Sequence, residues 1–516
     1  MSASGAPATA PESCSQRAAF SYWGLVWQQF RKRRDAYVGF YLLLALFSVA
    51  LTAPFLSNDL PLWVSAPDAA YSPLLRDFLF PMEHLDRFYN LLLVVLLVRF
   101  VLKLVLKRWF AALDDSVRKR RSLVFTASCA TTFLALFGIS WLTGVHNERT
   151  DYRHIKESGA AQVYYTLLPW GARQDDPART DLKPGHFHRI ALLFSGGSLD
   201  GVSLDYTSSQ LPLNFGSKPG NKVLFDAETD PTVEPQHCEI TRVGQSIFLS
   251  NLAQSGTWLN GRPILGAQEL QHGALIRLGE NGPACDLTLH EEKHYLGCDN
   301  SGFDVLTRLI YGSRVSLAVG FLAVGMALLI GVYLGSLAGY FGGWVDILAS
   351  RVIEIFICFP TFFLILTIIA VVPGRSIFWV MLAIGITGWM GVARLIRGEV
   401  LKVRQYDYIQ AARALGVSDV RIIFRHILPN AMAPVLVSAT FGVAGAILSE
   451  AMLGFLGLGV APPHPSWGEL LNQARQDPVR LWWLMLYPSL MIFAGVTLLN
   501  LVGEGLRDAM DPRLRK

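Results

Sequence analysis

The chain has 516 residues, 52% hydrophobic and 16% charged, with a formal net charge of +5. Soluble domains carry about 25% charged residues, so this balance points away from a water-soluble protein and toward a membrane protein. The modest charge gives no support to nucleic-acid binding, and the basic residues sit beside apolar runs, as membrane topology requires. The six cysteines, Cys14, Cys129, Cys238, Cys285, Cys298 and Cys358, include no C-x-x-C pair, so zinc ribbons and thioredoxin-type motifs have no support. Cys129 and Cys358 lie in apolar runs as packing residues. One disulfide among Cys238, Cys285 and Cys298 stays open if their segment lies outside the cytoplasm.

In chain order, the first apolar run is Tyr37–Leu56, behind Arg31, Lys32, Arg33 and Arg34. It reads as a retained anchor with its amino end inside. Phe88–Leu106 follows, with Arg99, Lys103 and Lys107 on one helical face, so it either spans or lies on the membrane surface as an amphipathic helix. Leu123–Thr143 carries no charge and is expected to span, and the basic stretch Lys107–Arg121 between the two belongs inside. From Gly144 to His294 the apolar runs shorten and turn residues punctuate them, the pattern of a soluble all-β insertion centred on Arg189–Leu289.

Five long apolar runs come next: Val315–Ala338, Ile347–Val372, Ile377–Val392, Ala431–Phe455 and Leu481–Val502. Between the third and fourth lies Arg394–Asn430, whose many arginines place it inside. Three spans separate it from the β insertion, which is therefore expected outside. The amino-terminal region then needs an odd number of spans, and three of them give eight in all. The carboxyl end, with Arg507, Arg513, Arg515 and Lys516, is expected inside.

Within Arg394–Asn430 the stretch Tyr408–Leu415 is rich in helix formers, with small Ala411, Ala412 and Ala414 that let a helix seat closely in a partner's groove. Gly416 offers the positive φ that ends a helix, Ser418 or Asp419 a cap for the next one, and Pro429 a stop where the chain re-enters the membrane. Ala411-Ala412, Gly416 and Leu428-Pro429, with Gln410 in place of an acidic residue, resemble the cytoplasmic loop signature of permeases of binding-protein-dependent, dipeptide/oligopeptide-type ABC importers. Further blocks agree in order: Leu296-Gly297-Cys298-Asp299, Asp304-Val305-Leu306, Arg308–Ser316, Phe455–Gly459, Pro465–Gly468 and Gly503–Ala509 with Asp511-Pro512. The family usually has Pro, Thr and Arg where Tyr295, Cys298 and Phe303 stand.

The resemblance implies a mainly α, polytopic membrane helix bundle with the type I ABC importer permease core and an inserted extracytoplasmic all-β sandwich. Its expected domains are a cytoplasmic segment 1–36, a membrane region 37–144, an insertion 145–294, a permease core 295–507 and a cytoplasmic tail 508–516. It implies an inner-membrane subunit that moves peptides or similar solutes by alternating access. Expected partners are a second permease subunit, two ATPase subunits that bind the ATP, an extracytoplasmic solute-binding protein and membrane lipid. Contacts to the ATPase fall on Tyr408, Gln410, Ala411, Ala412, Arg413, Gly416, Ser418, Leu428 and Pro429. Glu450, ionisable within a span, and Phe455 are candidates for the translocation path, Glu450 equally for a structurally paired role. Gly320, Gly325, Gly331 and Gly335 read as helix-packing positions, and Pro360 as a kink. No cofactor is expected. No G-x-x-x-x-G-K-[ST] loop occurs, so ATP hydrolysis is not expected of this chain, and no G-x-S-x-G element occurs either.

The insertion's order of His237, Gly256-Thr257, Asn260-Gly261, Leu270, Gly273 and Leu278-Gly279 resembles the forkhead-associated fold, which often binds phosphothreonine. The phosphate-reading positions depart from it: Ser217 stands for Arg, Glu234 for Ser and Ser255 for Asn, which opposes anion binding and leaves either a scaffold that contacts the solute-binding protein or the second permease subunit, or an inert spacer. A rival reading of the whole chain is a membrane receptor or scaffold using this β domain. A literal H-E-x-x-H, His290–His294, ends the insertion without a surrounding helix pattern, so no metal site is assigned to it.

Overall fold

A computed structural model describes residues 22–65, 70–79, 84–111, 126, 128–138, 162–171, 182–207, 210–243, 246–372, 374 and 376–511. The helices are α1 (Tyr22–Lys32), α2 (Arg34–Leu51), α3 (Ala53–Leu56), α4 (Pro73–Leu79), α5 (His84–Ala111), α6 (Ser128–Gly138), α7 (Val305–Phe341), α8 (Gly343–Ile357), α9 (Thr361–Val371), α10 (Ile377–Val403), α11 (Asp407–Ala414), α12 (Leu428–Phe455), α13 (Trp467–Ala474) and α14 (Trp482–Met510). Among the described residues, Arg34–Leu51, Val305–Phe341, Ile377–Val403, Asp419–Phe455 and Trp482–Met510 are long and apolar enough to cross a membrane. The α8–α9 pair makes a sixth candidate, bent by 82°. The bend falls at Pro360, which caps α9 and has no N–H with which to continue α8. α5 encloses Phe88–Leu106 in one helix of 28 residues. Much of Leu123–Thr143, the basic stretch Arg118–Arg121, Cys14 and the last five residues lie outside the described residues.

α7 is the axis of the bundle. At 37 residues and about 1.5 Å per residue it is about 55 Å long, well beyond the hydrocarbon thickness of a bilayer. Gly331, Gly335 and Gly339 repeat every four residues and form one smooth face. Val392, Ala393, Ile396, Arg397 and Val400 of α10 lie directly on it. A methyl at Gly331 would sit 2.7 Å from Val392 Cβ, and one at Gly339 2.8 Å from the Arg397 carbonyl oxygen. Gly320 makes a similar seat for Val443 and Ile447 of α12, whereas Gly325, expected with them, has no atom within 4 Å of its would-be Cβ.

The insertion is a two-sheet sandwich flanked by a small sheet. Trp63–Ser65 (β1), Ala70–Tyr71 (β2) and Gln162–Tyr164 (β3) form the small sheet, in the order β2-β1-β3. The sandwich strands are β4 (Gly185–Ser195), β5 (Ser203–Thr207), β6 (Leu213–Gly216), β7 (Val223–Leu224), β8 (Cys238–Val243), β9 (Ser246–Asn251), β10 (Thr257–Leu259), β11 (Arg262–Ile264), β12 (Ala267–Glu269), β13 (Ala274–Leu278) and β14 (Ala284–His294). One sheet runs β11-β10-β13-β14-β4-β5 and the other β12-β9-β8-β6-β7. Alternate residues such as Cys238 and Ile240, or Ala274, Ile276 and Leu278, point into the shared core. Asn260-Gly261 turns β10 into β11 with φ of 51° and 78°, the two-residue hairpin signature, and Asn260 Oδ1 accepts the Leu275 N–H at 2.8 Å.

The β unit is longer than the expected Arg189–Leu289. β4 and β14 stay paired without a break from Ala284↔Ser195 to His294↔Gly185, because the ladder continues past the sandwich as a two-stranded ribbon. The H-E-x-x-H residues are part of that strand, where an i,i+4 spacing separates Cα atoms by about 13 Å. Cys129, Cys238, Cys285, Cys298 and Cys358 are all free thiols. Burial pushes the Cys285 thiol up to about 12.

Gly335→Val places branched carbons against Ile396 Cγ2 and the Ala393 carbonyl oxygen. Such overpacking costs about 1–3 kcal/mol, so thermal unfolding of the detergent-purified protein is expected well below wild type. Gly325→Ala is expected within about 0.5 kcal/mol of wild type in the same measurement.

Candidate coupling elbow and the polar clamps around it

Beyond the end of α10 the chain makes a tight elbow. Leu415 closes α11 and Gly416 takes φ +76°, the left-handed conformation that ends a helix at low cost only with glycine. The Gly416 N–H donates to the Arg413 carbonyl at 3.0 Å and the Val417 N–H to the Ala412 carbonyl at 3.1 Å, the paired bonds of a Schellman motif. Ser418 precedes the next turn in extended conformation, although its side chain makes no cap bond.

Pro429 does not stop a helix as expected. It sits in the first turn of α12, and the chain from Asp419 to Phe455 is continuous. Proline removes an N–H and crowds the carbonyl four residues back. Here Ile422–Ile427 widens into a π segment, with the Leu428 N–H bonded to the Ile423 carbonyl five residues earlier, which accommodates the proline without a break.

The elbow has two unlike faces. Ile409 is buried with Val417, Ile422, Ile423 and Ile427 against Tyr340, Ile396, Val400 and Val403 of α7 and α10. The opposite face exposes Tyr408, Ala411 and Ala414, with Leu415 at 83%, Val420 at 66% and Phe424 at 61%. Polar contacts fasten the inner face to the helix ends. The Arg413 guanidinium lies 5.2 Å from the Tyr340 ring centroid, and the Tyr340 hydroxyl donates to Asp419. Arg404 donates to the Gly339 and Tyr340 carbonyls, and Arg397 pairs with Asp346 at the start of α8. Gln410 Nε2 donates to the Arg404 carbonyl at 3.0 Å, a bond the family's carboxylate lacks the proton to make. Asn430, a residue sequence reasoning passed over, ties the Tyr408 hydroxyl to the elbow and also bonds the His426 carbonyl.

The far end of α7 is clamped as well. Arg314, fully buried, donates to the Ala50 and Leu51 carbonyls at the end of α2 and to Asp86 (2.9 Å) and Asn90 (3.1 Å) of α5. Arg308 pairs with Glu469 (2.6 Å) and Asp299 (3.2 Å), and its guanidinium lies 4.6 Å from the Phe303 ring centroid. Trp467 is buried beside Gly312 and donates to the Leu309 carbonyl. At the base of the ribbon, His294 Nδ1 lies 2.9 Å from Asp304 Oδ2, while Asp304 Oδ1 accepts the Thr307 N–H and so caps α7. Glu450 is completely buried and accepts the Ser316 hydroxyl at 2.8 Å. That bond joins α12 to α7, and Phe455 is half-buried at the end of α12.

In the β domain, His237 is buried and braces two loops. Its Nδ1 accepts the Glu234 N–H at 3.2 Å, and Nε2 lies 3.1 Å from the Gly256 carbonyl oxygen. Burial holds the imidazole below its ordinary value of 6.5, which favours the neutral ring with Nε2–H donating.

A helix bundle with this elbow and these intramembrane glycine seats has the architecture of a transport permease. The family model "binding-protein-dependent transport system inner membrane component" matches residues 331–516, that of the N-terminal membrane domain of oligopeptide transport permease C matches 21–73, and that of the FHA domain matches 213–279. The chain is 43% identical over 236 residues to the dipeptide transport system permease protein DppC of Alkalihalophilus pseudofirmus, covering 46% of this chain and 77% of that protein. It is 41% identical over 222 residues to the glutathione transport system permease protein GsiD of Pectobacterium atrosepticum, covering 43% and 73%. A chain of the MetNI methionine ABC transporter, solved in inward-facing conformations, aligns with TM-score 0.34 and 19% identity over 40% of this chain and 97% of its own. The chain belongs to the binding-protein-dependent transport system inner membrane component family, and it carries an inserted forkhead-associated domain.

Arg314→Met takes the donor away from four groups at once, two of them α2 carbonyls. Losing one partner of a buried pair costs about 3–5 kcal/mol, so the purified variant is expected to unfold far below wild type. Arg314→Lys is expected to recover only part of the loss, because one ammonium cannot reproduce the fork.

Proposed function

We propose that this chain is the membrane-spanning permease of an ATP-driven importer for small peptides or similar solutes, working by alternating access with a second permease subunit and two ATPase subunits. The observation that carries the reading is the two-faced elbow. Its outer face offers Leu415, Val420 and Phe424 to a partner, while its inner face is fastened to the ends of α7 and α10. A push on the outer face therefore reaches the core helices without an intervening flexible joint. Peptide as the substrate class rests on the relatives, whose names specify dipeptide and glutathione. An extracytoplasmic solute-binding protein would supply selectivity. The domain division is read as 1–36, 37–144, 145–294, 295–507 and 508–516, with the coupling loop at 394–430 and both termini in the cytoplasm.

The β domain is read as extracytoplasmic. It joins the N-terminal end of α7, and the elbow packs on the C-terminal end of that 37-residue helix. A helix of that length puts its two ends on opposite sides of a bilayer, so a cytoplasmic elbow implies an external β domain. The exposed apolar surface of α8 and α9, including Trp344 at 85% and Phe363 at 63%, suits lipid or the second permease subunit.

Each of Leu415 and Val420 would bury about 1.5 kcal/mol or more of apolar side chain on docking, about tenfold in affinity. Leu415→Asp and Val420→Asp are expected to abolish co-purification of the ATPase subunits and nucleotide-dependent uptake, with melting temperature unchanged. Normal uptake by the double variant would sink the proposal. Orientation is tested on intact cells with a membrane-impermeant maleimide: Leu265→Cys in the β domain is expected to label and Leu415→Cys to stay unlabelled until the cells are opened.

A further inference from the structure

The loops at one end of the β domain form a seat for an anion, and the domain fills that seat itself. Glu234 Oε1 accepts the Ser255 N–H at 2.7 Å. This bond above all holds its pKa below the usual glutamate value, while the Ser255 hydroxyl donates to the Thr232 carbonyl at 3.3 Å. A loop N–H aimed at an anionic oxygen is the kind of donor that proteins use to hold phosphate. On the other side of the same carboxylate, the Glu234 N–H is held by His237, whose far nitrogen bonds Gly256 in the opposing loop. Glu234 is therefore tied at two points, its carboxylate by Ser255 and its backbone by His237.

The neighbouring donors are turned inward too. The Ser217 hydroxyl, at the position where the resemblance places a cation, donates to the Val233 carbonyl at 3.1 Å. Asn221 Nδ2 donates to the Pro235 and Lys218 carbonyls. Lys222 Nζ is taken by the Gln210 and Pro212 carbonyls. A methyl at Gly216 would collide with the Pro235 carbonyl, so the strand end itself is closed against that loop.

We propose that Glu234 is the specificity-determining residue of this surface: an internal carboxylate that occupies the phosphate seat and makes the domain reject phosphothreonine. An incoming phosphate would meet a fixed negative charge that already occupies the Ser255 N–H. His237, Thr257 and Asn260 brace the loops through bonds of their own, so the fold keeps its shape with the seat closed. The seat is latent, and removal of the side chain opens it.

The test uses the full-length protein in detergent micelles, titrated by fluorescence anisotropy with a degenerate peptide pool centred on phosphothreonine and with the same pool unphosphorylated. Wild type is expected to bind the two pools within about twofold of each other. Glu234→Ser with Ser217→Arg is expected to prefer the phosphorylated pool by about tenfold or more, the size of one charge-assisted bond gained and one repulsion lost. Glu234→Gln keeps an acceptor for Ser255 and leaves the seat filled, so its preference is expected to stay under about threefold. Should the double variant lose strand protection in hydrogen exchange, the single Glu234→Ala is read in its place. A tenfold phosphate preference in wild type overturns the proposal, and so does the absence of any preference in a folded Glu234→Ser/Ser217→Arg variant or, where that is read in its place, in Glu234→Ala.

Discussion

The close approach of α7 to α10 is the constraint on which the rest of the molecule depends. Gly331, Gly335 and Gly339 bring two long helices to backbone contact over more than two turns. In lipid there is little hydrophobic drive to bring helices together, so van der Waals fit and polar links hold the pair. A smooth glycine face against Ala393, Ile396 and Val400 supplies the first, and Arg404 on the Gly339 and Tyr340 carbonyls supplies the second. Because the elbow follows α10 and packs on α7, its position is set by that pair. A looser contact would leave the elbow free to move without the core.

The two ends of α7 are fixed by different means. At the elbow end the contacts are apolar with a polar rim, and the outer side is left bare. At the other end they are charged and buried: Arg308 with Asp299 and Glu469, and Arg314 with Asp86, Asn90 and two carbonyls. Arginine suits both sites because its planar fork donates in several directions at once. Under the proposed function, clamps at one end and a dockable knob at the other would make α7 a lever across the membrane.

The β domain is tied to this lever rather than loosely inserted. Its first and last strands leave the sandwich as a paired ribbon, and the last residue of that ribbon, His294, meets the residue that caps α7. Cys298 adds a second tie, its N–H to the Leu182 carbonyl and its carbonyl to Trp483. Two connections held together restrict a domain far more than two independent linkers do. The domain's recognition loops meanwhile differ from its fold: His237 and Asn260 keep their bracing roles, whereas Glu234 changes the chemistry of the surface.

Composition, apolar runs and turn residues were enough to determine the class of protein, the five core runs, the β character of the insertion and the glycine that ends α11. Each of these rests on local physics: burial in lipid, strand alternation, and the φ that only glycine takes at low cost. Packing decided the rest. Nothing local distinguishes Gly335, pressed on Ile396, from Gly325, which touches nothing, because the difference lies on a neighbouring helix. Pro429 looked like a stop, and only the π segment before it lets the helix continue. Glu450 is a lone ionisable residue in an apolar run by sequence, and only the fold brings Ser316, 134 residues away, to donate to it. Arg314 drew no notice as a single charge in an apolar run, since its four partners come from two other helices and meet it only when the bundle is assembled.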